Sequence, residues 1–287
     1  IPFIRITPPT GKPLTLTAVN FESGGIFLES DVDLHLSPDS FVLNSREQLG
    51  FFEIAGLPVF PRSFKTEGSQ SIVLRTGGSL TLHGILTNQR GSIRLEAPGG
   101  LVLGSAAMLS ATDLITLEAP STALDADSRL GLAVPGGNAA GAAGGLLVAG
   151  NLMLGGAMSL SVVGGPQHTI LPTDTITIVT AAAIDGAFSN PPAGARLLTV
   201  DRLGSFVVNY GPGSPFPAAQ VVLSAFRRSG AADGDNDVAL ADLAELTRGL
   251  SGPGEAIVAG CELLDADGDG RVALADFAAQ QVAFTGQ

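Results

Sequence analysis

Aspartates occupy alternate positions at the start of the stretch DADGDGRVALAD, which runs from Asp265 to Asp276. A calcium ion takes about six to eight oxygen ligands, so a short loop must fold several carboxylates around one point. Alternate spacing achieves this when a glycine, here Gly270, supplies the sharp bend and an acidic residue closes the cage at the twelfth position. The residues at loop positions one, three, five, seven and twelve are Asp265, Asp267, Asp269, Arg271 (through its backbone carbonyl) and Asp276. The sequence therefore predicts one calcium site here, with Val272 pointing inward to anchor the loop.

A second and weaker copy of this loop precedes it. The letters VALAD begin at Val238 and again at Val272. Aligning the copies places four aspartates of the first one at positions three, five, seven and twelve: Asp233, Asp235, Asp237 and Asp242. Position one is Ala231, and the bend is Asn236, which adopts a positive φ less readily than glycine. The first copy is therefore predicted to hold a second calcium ion weakly or not at all.

Apolar residues recur at helical spacing after each loop, which predicts two amphipathic helices. They are Leu240, Leu243, Leu246 and Leu250 after the first loop, and Leu274, Phe277, Ala278 and Val282 after the second. Between them, the stretch GEAIVAGCELL at 254–264 predicts a connecting helix that ends at the second loop. Residues 231–287 are thus expected to form a small helical module.

A loop–helix unit duplicated in this way resembles a type I dockerin. In that family two calcium ions hold the fold and the paired helices bind a cohesin domain, so the resemblance implies Ca2+ and a cohesin-like partner. Here the incomplete first loop departs from the family, and so do Leu240–Ala241 and Leu274–Ala275, where many members carry a polar pair. Another copy of the chain, bound through the tail or the strand edges, is the other expected partner. In a further arrangement the tail (residues 231–287) docks on the β-region (residues 1–230) of the same chain, and calcium stabilises this arrangement.

Residues 1–230 are predicted to be strands almost throughout. Short segments alternate apolar and polar residues and are separated by Gly, Pro, Asn and Asp, which favour turns. SIVLRTGG at Ser71 recurs as SIRLEAPGG at Ser92, and IRLEAP at Ile93 recurs as ITLEAP at Ile115. A period of roughly 20–25 residues is typical of one coil of a β-solenoid. A sandwich or jelly roll with regular strand spacing is the alternative.

A Gly/Ala-rich stretch at 136–145 predicts a linker between two β-rich regions, 1–134 and 135–230. After it, GNLMLGGAMSLSVVG, TITIVTAAAIDGAFSN and GSFVVNYGPGS resemble the ends of large secreted bacterial repeat proteins. These include autotransporter-type passengers and surface proteins of planctomycete-like bacteria. The resemblance spans roughly 70–228 and implies a right-handed β-helix that is secreted, elongated and non-catalytic. The expected fold class is mainly β, right-handed solenoid-like or sandwich-like, with a small α-helical dockerin-like module at the C-terminus.

Composition and charge further limit the functions that this chain can have. The chain of 287 residues is 45% hydrophobic but has no Trp, one Tyr and one Cys, so small aliphatic side chains must build the core and no intrachain disulfide forms. Its net charge is −12, and −9 of this falls in residues 231–287. Such acidity repels nucleic acid and anionic membranes and attracts divalent cations. No apolar run approaches the roughly 18 residues that a membrane span needs.

The chain is predicted not to be an enzyme, because chemically versatile residues are scarce: it has three His, one Tyr and one Cys. A polysaccharide lyase or hydrolase in particular needs clustered carboxylates and aromatic sugar platforms. Asp31 and Asp33 share a strand face, and Glu96 and Glu118 could stack on neighbouring coils, but equivalent turn positions explain the second pair.

The expected function is that of a non-catalytic structural or adhesion protein, either extracellular or at the cell surface. It would assemble into filaments or complexes through its tail or its strand edges, with residues 1–20 as a strand added to a neighbour. The alternative is a dockerin-bearing polysaccharide-degrading enzyme or binding module of an extracellular complex.

Overall fold

The structure is a computed structural model. It describes the strands Ile4–Ile6, Ile26–Ser30, Leu34–Leu36 and Val42–Ser45, and residues 70–88, 91–135, 144–163, 170–231, 238–251, 255, 257, 261, 264–265 and 270–283. Within these residues the strands, in chain order, are β1 (Ile4–Ile6), β2 (Ile26–Ser30), β3 (Leu34–Leu36), β4 (Val42–Ser45), β5 (Gln70–Thr76), β6 (Leu80–Leu82), β7 (Ile85–Asn88), β8 (Gly91–Glu96), β9 (Leu101–Leu103), β10 (Met108–Ala111), β11 (Ile115–Glu118), β12 (Ser121–Leu124), β13 (Arg129–Pro135), β14 (Leu146–Val148), β15 (Asn151–Leu154), β16 (Ala157–Val163), β17 (Ile176–Thr180), β18 (Ala183–Gly186), β19 (Arg196–Leu198), β20 (Gly204–Asn209) and β21 (Gln220–Arg228). Two helices follow, α1 (Leu240–Gly249) and α2 (Leu274–Ala283).

The strands form three sheets. The first has the order β1-β2-β5-β8-β11-β14-β17-β21-β20-β19, the second β18-β15-β12-β9-β6-β3, and the third β16-β13-β10-β7-β4. From β2 to β18 the chain visits the three sheets in rotation, so each strand pairs with the third strand after it. The fold is therefore mainly β, with parallel sheets along most of the described chain.

The register of these parallel pairs confirms the two predicted repeats. Ser71 is the partner of Ser92, and Ile93 is the partner of Ile115. The repeat thus reflects strands that lie side by side in the first sheet. Antiparallel sandwiches and jelly rolls pair their strands differently, so the parallel sheets described here do not fit that alternative.

Aliphatic side chains of neighbouring strands stack in columns on the inner faces of the sheets. In the first sheet, Leu74, Leu95, Leu117 and Val148 are successive register partners, and all four are buried. The buried cluster takes residues from all three sheets, so the sheets share one core. Each such side chain stabilises the fold by roughly 1.5–3 kcal/mol through burial alone.

Some paired strands of the first sheet are separated by more residues than the repeats at Ser71 and Ile93. Ile26 pairs with Ile72, and Ile115 pairs with Leu146. The Gly/Ala-rich residues 136–143 lie outside the described residues, but β13 before them pairs with β16 after them along seven residues. The predicted division at 134/135 stays a prediction, while the strands on both sides of it belong to the same sheets.

The two ends of the parallel sheets are organised differently. At the N-terminal end, Ile4–Ile6 pairs with β2 of its own chain, and the rest of residues 1–20 lies outside the described residues. At the C-terminal end, β17, β21, β20 and β19 pair in an antiparallel way. There the outer edge of β16 is covered, since the amide of Met158 donates to Asn190 Oδ1 at 2.8 Å and the amide of Val200 donates to the carbonyl of Leu160 at 2.7 Å. Covering an edge in this way prevents it from pairing with another chain.

Tyr210 fixes the segment that covers β16. Its hydroxyl donates to the carbonyl of Pro191 at 2.8 Å and accepts from the amide of Phe188 at 3.3 Å. The Phe188 ring meets it edge-on, with ring centroids 5.6 Å apart. Burial raises the pKa of the Tyr210 phenol, so the hydroxyl keeps the proton that it donates.

The tail contains the two predicted helices, α1 and α2, but their predicted apolar faces are buried only in part. Leu243, Leu246 and Phe277 pack in the tail's core, whereas Leu240, Leu250 and Leu274 are exposed. The described residues do not support the predicted connecting helix at 254–264. Glu255, Ile257 and Cys261 are not helical, and Leu264 lies in a turn. The physical reason is that this segment bonds to the second loop, since the amide of Ile257 donates to the carbonyl of Gly270 at 3.2 Å. Its apolar residues serve the tail's own core, in which Leu246, Leu264 and Val272 are buried against Leu243, Ile257, Cys261 and Phe277.

Candidate metal centre

Four of the nine predicted ligands lie among the described residues. They are Asp265, Arg271 and Asp276 of the second loop and Asp242 of the first. The other five, Asp267, Asp269, Asp233, Asp235 and Asp237, lie outside the described residues. The structure therefore describes the start, the bend and the end of the second loop, and the end of the first.

The bend of the second loop has the conformation that the sequence predicts. Gly270 has φ of +83°, in the left-handed region that favours glycine. A Cβ added there would meet no atom of the described residues within 4 Å, so the backbone conformation is what calls for glycine at this position. The amide of Gly270 donates to Asp265 Oδ2 at 3.1 Å. The first carboxylate of the loop thus reaches across to the bend and closes the turn.

The last carboxylates of the two loops have matching positions. Asp276 Oδ2 accepts from the amide of Ala273, and Asp242 Oδ2 accepts from the amide of Ala239, both at 2.7 Å. Each aspartate lies in the first turn of its helix, and their exposures are 1% and 0%. A helix N-terminus favours a carboxylate because the amides there have no partner within the helix. Both aspartates therefore stabilise the start of a helix whether or not a metal binds.

Other residues at matching positions of the two copies repeat this equivalence. Val238 and Val272 are both fully buried, which confirms that Val272 points inward. Leu240 and Leu274, at the first position of each helix, are 72% and 81% exposed. At these described positions the two copies therefore share the same pattern of burial and exposure.

The described part of the second loop is compatible with a calcium ion. Its side-chain donors, Asp265 and Asp276, are carboxylates, which calcium prefers. Arg271 is exposed, as a residue that would contribute only its carbonyl can be. Among the described residues, no three His, Cys, Asp or Glu side chains lie together as a metal site, and two of the predicted carboxylates are not among those residues.

A contact with the sheets, which the sequence did not predict, reaches the start of this loop. Arg202, between β19 and β20, donates from a terminal guanidinium nitrogen (NH1) to the carbonyl of Asp265 at 2.7 Å. The same nitrogen lies 3.7 Å from Asp265 Oδ2. Arg202 is an isolated basic residue in a turn, and no repeat or motif in the sequence distinguishes it. The first predicted calcium ligand therefore also joins the tail to the β-region.

Arginines hold Glu96 and Glu118, two carboxylates of the first sheet that stack on neighbouring strands. Glu96 pairs with Arg75 and with Arg94, the second pair at 2.9 Å. Arg94 also pairs with Glu118 at 2.8 Å. The hydrogen bond from Arg75 lowers the pKa of the Glu96 carboxyl, against the opposing effect of burial. A carboxyl with a lowered pKa is a poor general acid, and this alternating row of charges instead links successive strands of the first sheet. Asp31 and Asp33 lie outside the described residues.

Neither α1 nor α2, each of ten residues, has the length or the apolar character to cross a membrane. Compared with family models, with curated proteins and with solved structures, the chain has no significant match to any of them.

Proposed function

We propose that this chain is a secreted, non-catalytic structural or adhesion protein of the cell surface or extracellular space. In this proposal its three sheets form a right-handed β-solenoid, and its tail is a calcium-stabilised, dockerin-like module through which it assembles. The observation that carries the proposal is the rotation of the chain through three parallel sheets that share one core. Stacked coils of this kind offer long surfaces and a rigid spacer, which suit a structural role.

The solenoid part rests on strand connectivity. Each strand pairs with the equivalent strand of the next triplet, as Ser71 pairs with Ser92 and Ile93 with Ile115. A parallel strand reached by a crossover is right-handed in about 98% of known cases, which gives the proposed hand. A solenoid of this kind would be elongated, and small-angle X-ray scattering should give a rod-like distance distribution. A spherical distribution would contradict it.

The calcium part rests on the second loop. There Asp265, Asp267, Asp269 and Asp276 would supply carboxylates and Arg271 a carbonyl, while calcium would supply the charge that holds these oxygens together. The first loop, with Asp233, Asp235, Asp237 and Asp242, would bind a second ion more weakly. The bend at Gly270 and its bond to Asp265 support the assignment.

Calorimetry and thermal unfolding test this calcium site in the full chain. Calcium at 100 times its Kd should stabilise the tail by about 2.7 kcal/mol relative to EDTA. Asp265→Asn keeps the size of the side chain but removes its charge, so it should abolish most of this gain. Asp185→Asn, which changes an exposed aspartate on β18, is the matched control and should keep it. An unchanged melting temperature in EDTA would contradict the calcium site.

The partner is proposed to be a cohesin-like protein or another copy of the chain. Leu240 and Leu274, exposed at equivalent helix starts, supply an apolar pair for it. Assembly through strand edges is proposed for the N-terminal end, because the C-terminal edge of β16 is already covered. Light scattering with and without calcium separates these partners. Concentration-dependent growth supports self-assembly, and a monomer that binds an immobilised cohesin supports the other partner.

A polysaccharide-degrading or polysaccharide-binding protein is the second candidate, favoured by one observation. Glu96, Glu118, Arg75 and Arg94 form a charged group on one face of the first sheet, where an acidic polysaccharide could contact the arginines. Activity on a panel of acidic polysaccharides that is lost in Glu96→Gln would establish it. Binding without turnover that is lost in Arg94→Gln would establish a binding module instead.

A further inference from the structure

The turn between β19 and β20 is fixed firmly on the sheets. Asp201 accepts the amide of Val162 through Oδ2 and the amide of Leu203 through Oδ1. The neighbouring Val200 donates its amide to the carbonyl of Leu160 at 2.7 Å. Both Leu160 and Val162 belong to β16, so this turn is joined to the edge of the third sheet.

Arg202 adopts an uncommon backbone conformation at the end of this turn. Its φ is +56°, in the left-handed region that non-glycine residues rarely adopt. Its amide donates to the carbonyl of Thr199 at 3.0 Å, and the Thr199 hydroxyl donates to the carbonyl of Gly204 at 2.9 Å. The surrounding hydrogen bonds therefore hold the Arg202 backbone in a conformation that costs free energy. They also fix the position of the backbone from which its side chain extends.

The guanidinium of Arg202 contacts the tail at Asp265. One nitrogen bonds to the backbone carbonyl and lies within ion-pair distance of the carboxylate of the same residue. The side-chain exposures are 33% for Arg202 and 10% for Asp265, so water screens the pair only in part. The tail has a net charge of −9, and a fixed cation on the sheets complements it.

We propose that Arg202 docks the tail on the β-region and that this contact opposes cation binding in the second loop. The inference rests on the proposed calcium site and adds regulation to it. A guanidinium beside a ligand carboxylate already neutralises part of its charge, so it raises the cost of placing a second cation on the same carboxylate. Coupling between two sites is reciprocal, so a divalent cation in the loop weakens the Arg202 contact to the same degree. Calcium thereby loosens the tail from the sheets and frees it for a partner.

Calcium titration of the full chain by calorimetry tests this coupling. Arg202→Gln removes the charge, and it should raise calcium affinity at least about fivefold, in the usual range for coupled sites. The gain should shrink in roughly 0.5 M salt, because screening weakens the competing charge. Arg248→Gln is the matched control, because Arg248 is an exposed arginine that pairs with Glu245 on α1. It should change the affinity less than about twofold. Equal or weaker binding by Arg202→Gln would overturn the coupling while leaving the calcium site intact.

Hydrogen exchange of the metal-free chain provides a second readout. If Arg202 docks the tail, Arg202→Gln should speed exchange of the amides at 264–272, whereas Arg248→Gln should not. Arg202→Gly provides the same test with a residue that tolerates the positive φ, so a folding defect in the first variant cannot decide the result. If neither wild type nor variant binds calcium, the proposed calcium site fails. Unchanged exchange at 264–272 in both Arg202 variants would then overturn the docking contact on its own.

Discussion

The sheets and the tail both consist of repeated units, but different interactions hold their copies together. In the sheets, successive copies hydrogen-bond directly and bury aliphatic columns in one shared core. In the tail, the fully buried apolar cluster, as far as it is described, consists of Leu246, Leu264 and Val272. There each helix starts on a buried carboxylate that holds a backbone amide. The described core of the sheets is thus large and mostly apolar, whereas the described core of the tail is small and lies beside buried carboxylates.

This difference has a consequence for regulation. Burial of aliphatic side chains depends weakly on salt and on metal ions, so the sheets form a constant frame. Charged groups respond to both, so the tail is the part whose stability and contacts the surroundings can change. The Arg202–Asp265 contact joins the two parts at one of these responsive groups.

The largest expected effect is the loss of a core side chain in the sheets. Leu95→Ala removes a buried leucine from the column between Leu74 and Leu117. It should lower the free energy of unfolding by about 2–5 kcal/mol, since a cavity remains among close-packed neighbours. Urea unfolding measures it, with Val102→Ala, 40% exposed on the second sheet, as the control at about 0.5 kcal/mol or less. Similar losses in both variants would show that burial of the side chain does not determine its contribution to the stability of the sheets.

A smaller effect is expected for the two equivalent aspartates of the tail. Asp242→Ala and Asp276→Ala each leave a helix-start amide without its carboxylate, which should cost about 1 kcal/mol in EDTA. Hydrogen exchange at α1 and α2 measures this loss. In calcium, Asp276→Ala should cost more than Asp242→Ala, because only the second loop has a full predicted ligand set. Equal losses in calcium would mean that the two loops bind the ion alike or that neither does.

The sequence predicts the regular parts of both regions because their signals are local. Alternation and spacing specify strands, and the similarity of the segments at Ser71 and Ser92 identifies strands that lie side by side. In the tail, helical spacing predicts α1 and α2, and the loop pattern predicts that Val272 is buried. Each of these features depends on residues within one repeat unit, or on the recurrence of that unit along the chain.

The features that the sequence did not reveal depend on contacts between distant residues. Residues 254–264 have a helical composition, yet Ile257 bonds to Gly270 instead. The antiparallel strands β19–β21 carry the same alternation as the parallel ones, so pattern alone does not give their direction. Arg202 contacts Asp265, which lies far along the chain from it, and a single arginine in a turn carries no local signal of this.

Removing a polar group from the core should stabilise the sheets slightly. Thr122 is buried between Leu101 and Leu152 on the second sheet, and its hydroxyl oxygen has no hydrogen-bond partner among the described residues. Thr122→Val keeps the shape and should raise the free energy of unfolding by about 1 kcal/mol, because burying an unpaired hydroxyl is costly. Thr116→Val, on the partly exposed outer face of β11, should change it little. A loss of stability in Thr122→Val would reveal a partner for the hydroxyl.

The smallest expected effect concerns the charged row on the first sheet, formed by Arg75, Glu96, Arg94 and Glu118. The question is whether these ion pairs make the stability of the sheets depend on pH and salt, as is expected for the tail. The pKa of Glu96 is lowered from its usual 4.5, mainly by the hydrogen bond from Arg75. A lowered pKa means that the unfolded chain takes up the proton first, so this contribution is present above pH 4.5 and is lost as the pH falls through the folded-state pKa. Arg75 is 40% exposed, so solvent screening limits a double-mutant cycle of Arg75→Gln and Glu96→Gln to about 0.2–1 kcal/mol at neutral pH. The coupling should fade in acid and in high salt. A larger, salt-insensitive coupling would mean that ion pairs stabilise the sheets as strongly as burial does, which would remove the contrast with the tail.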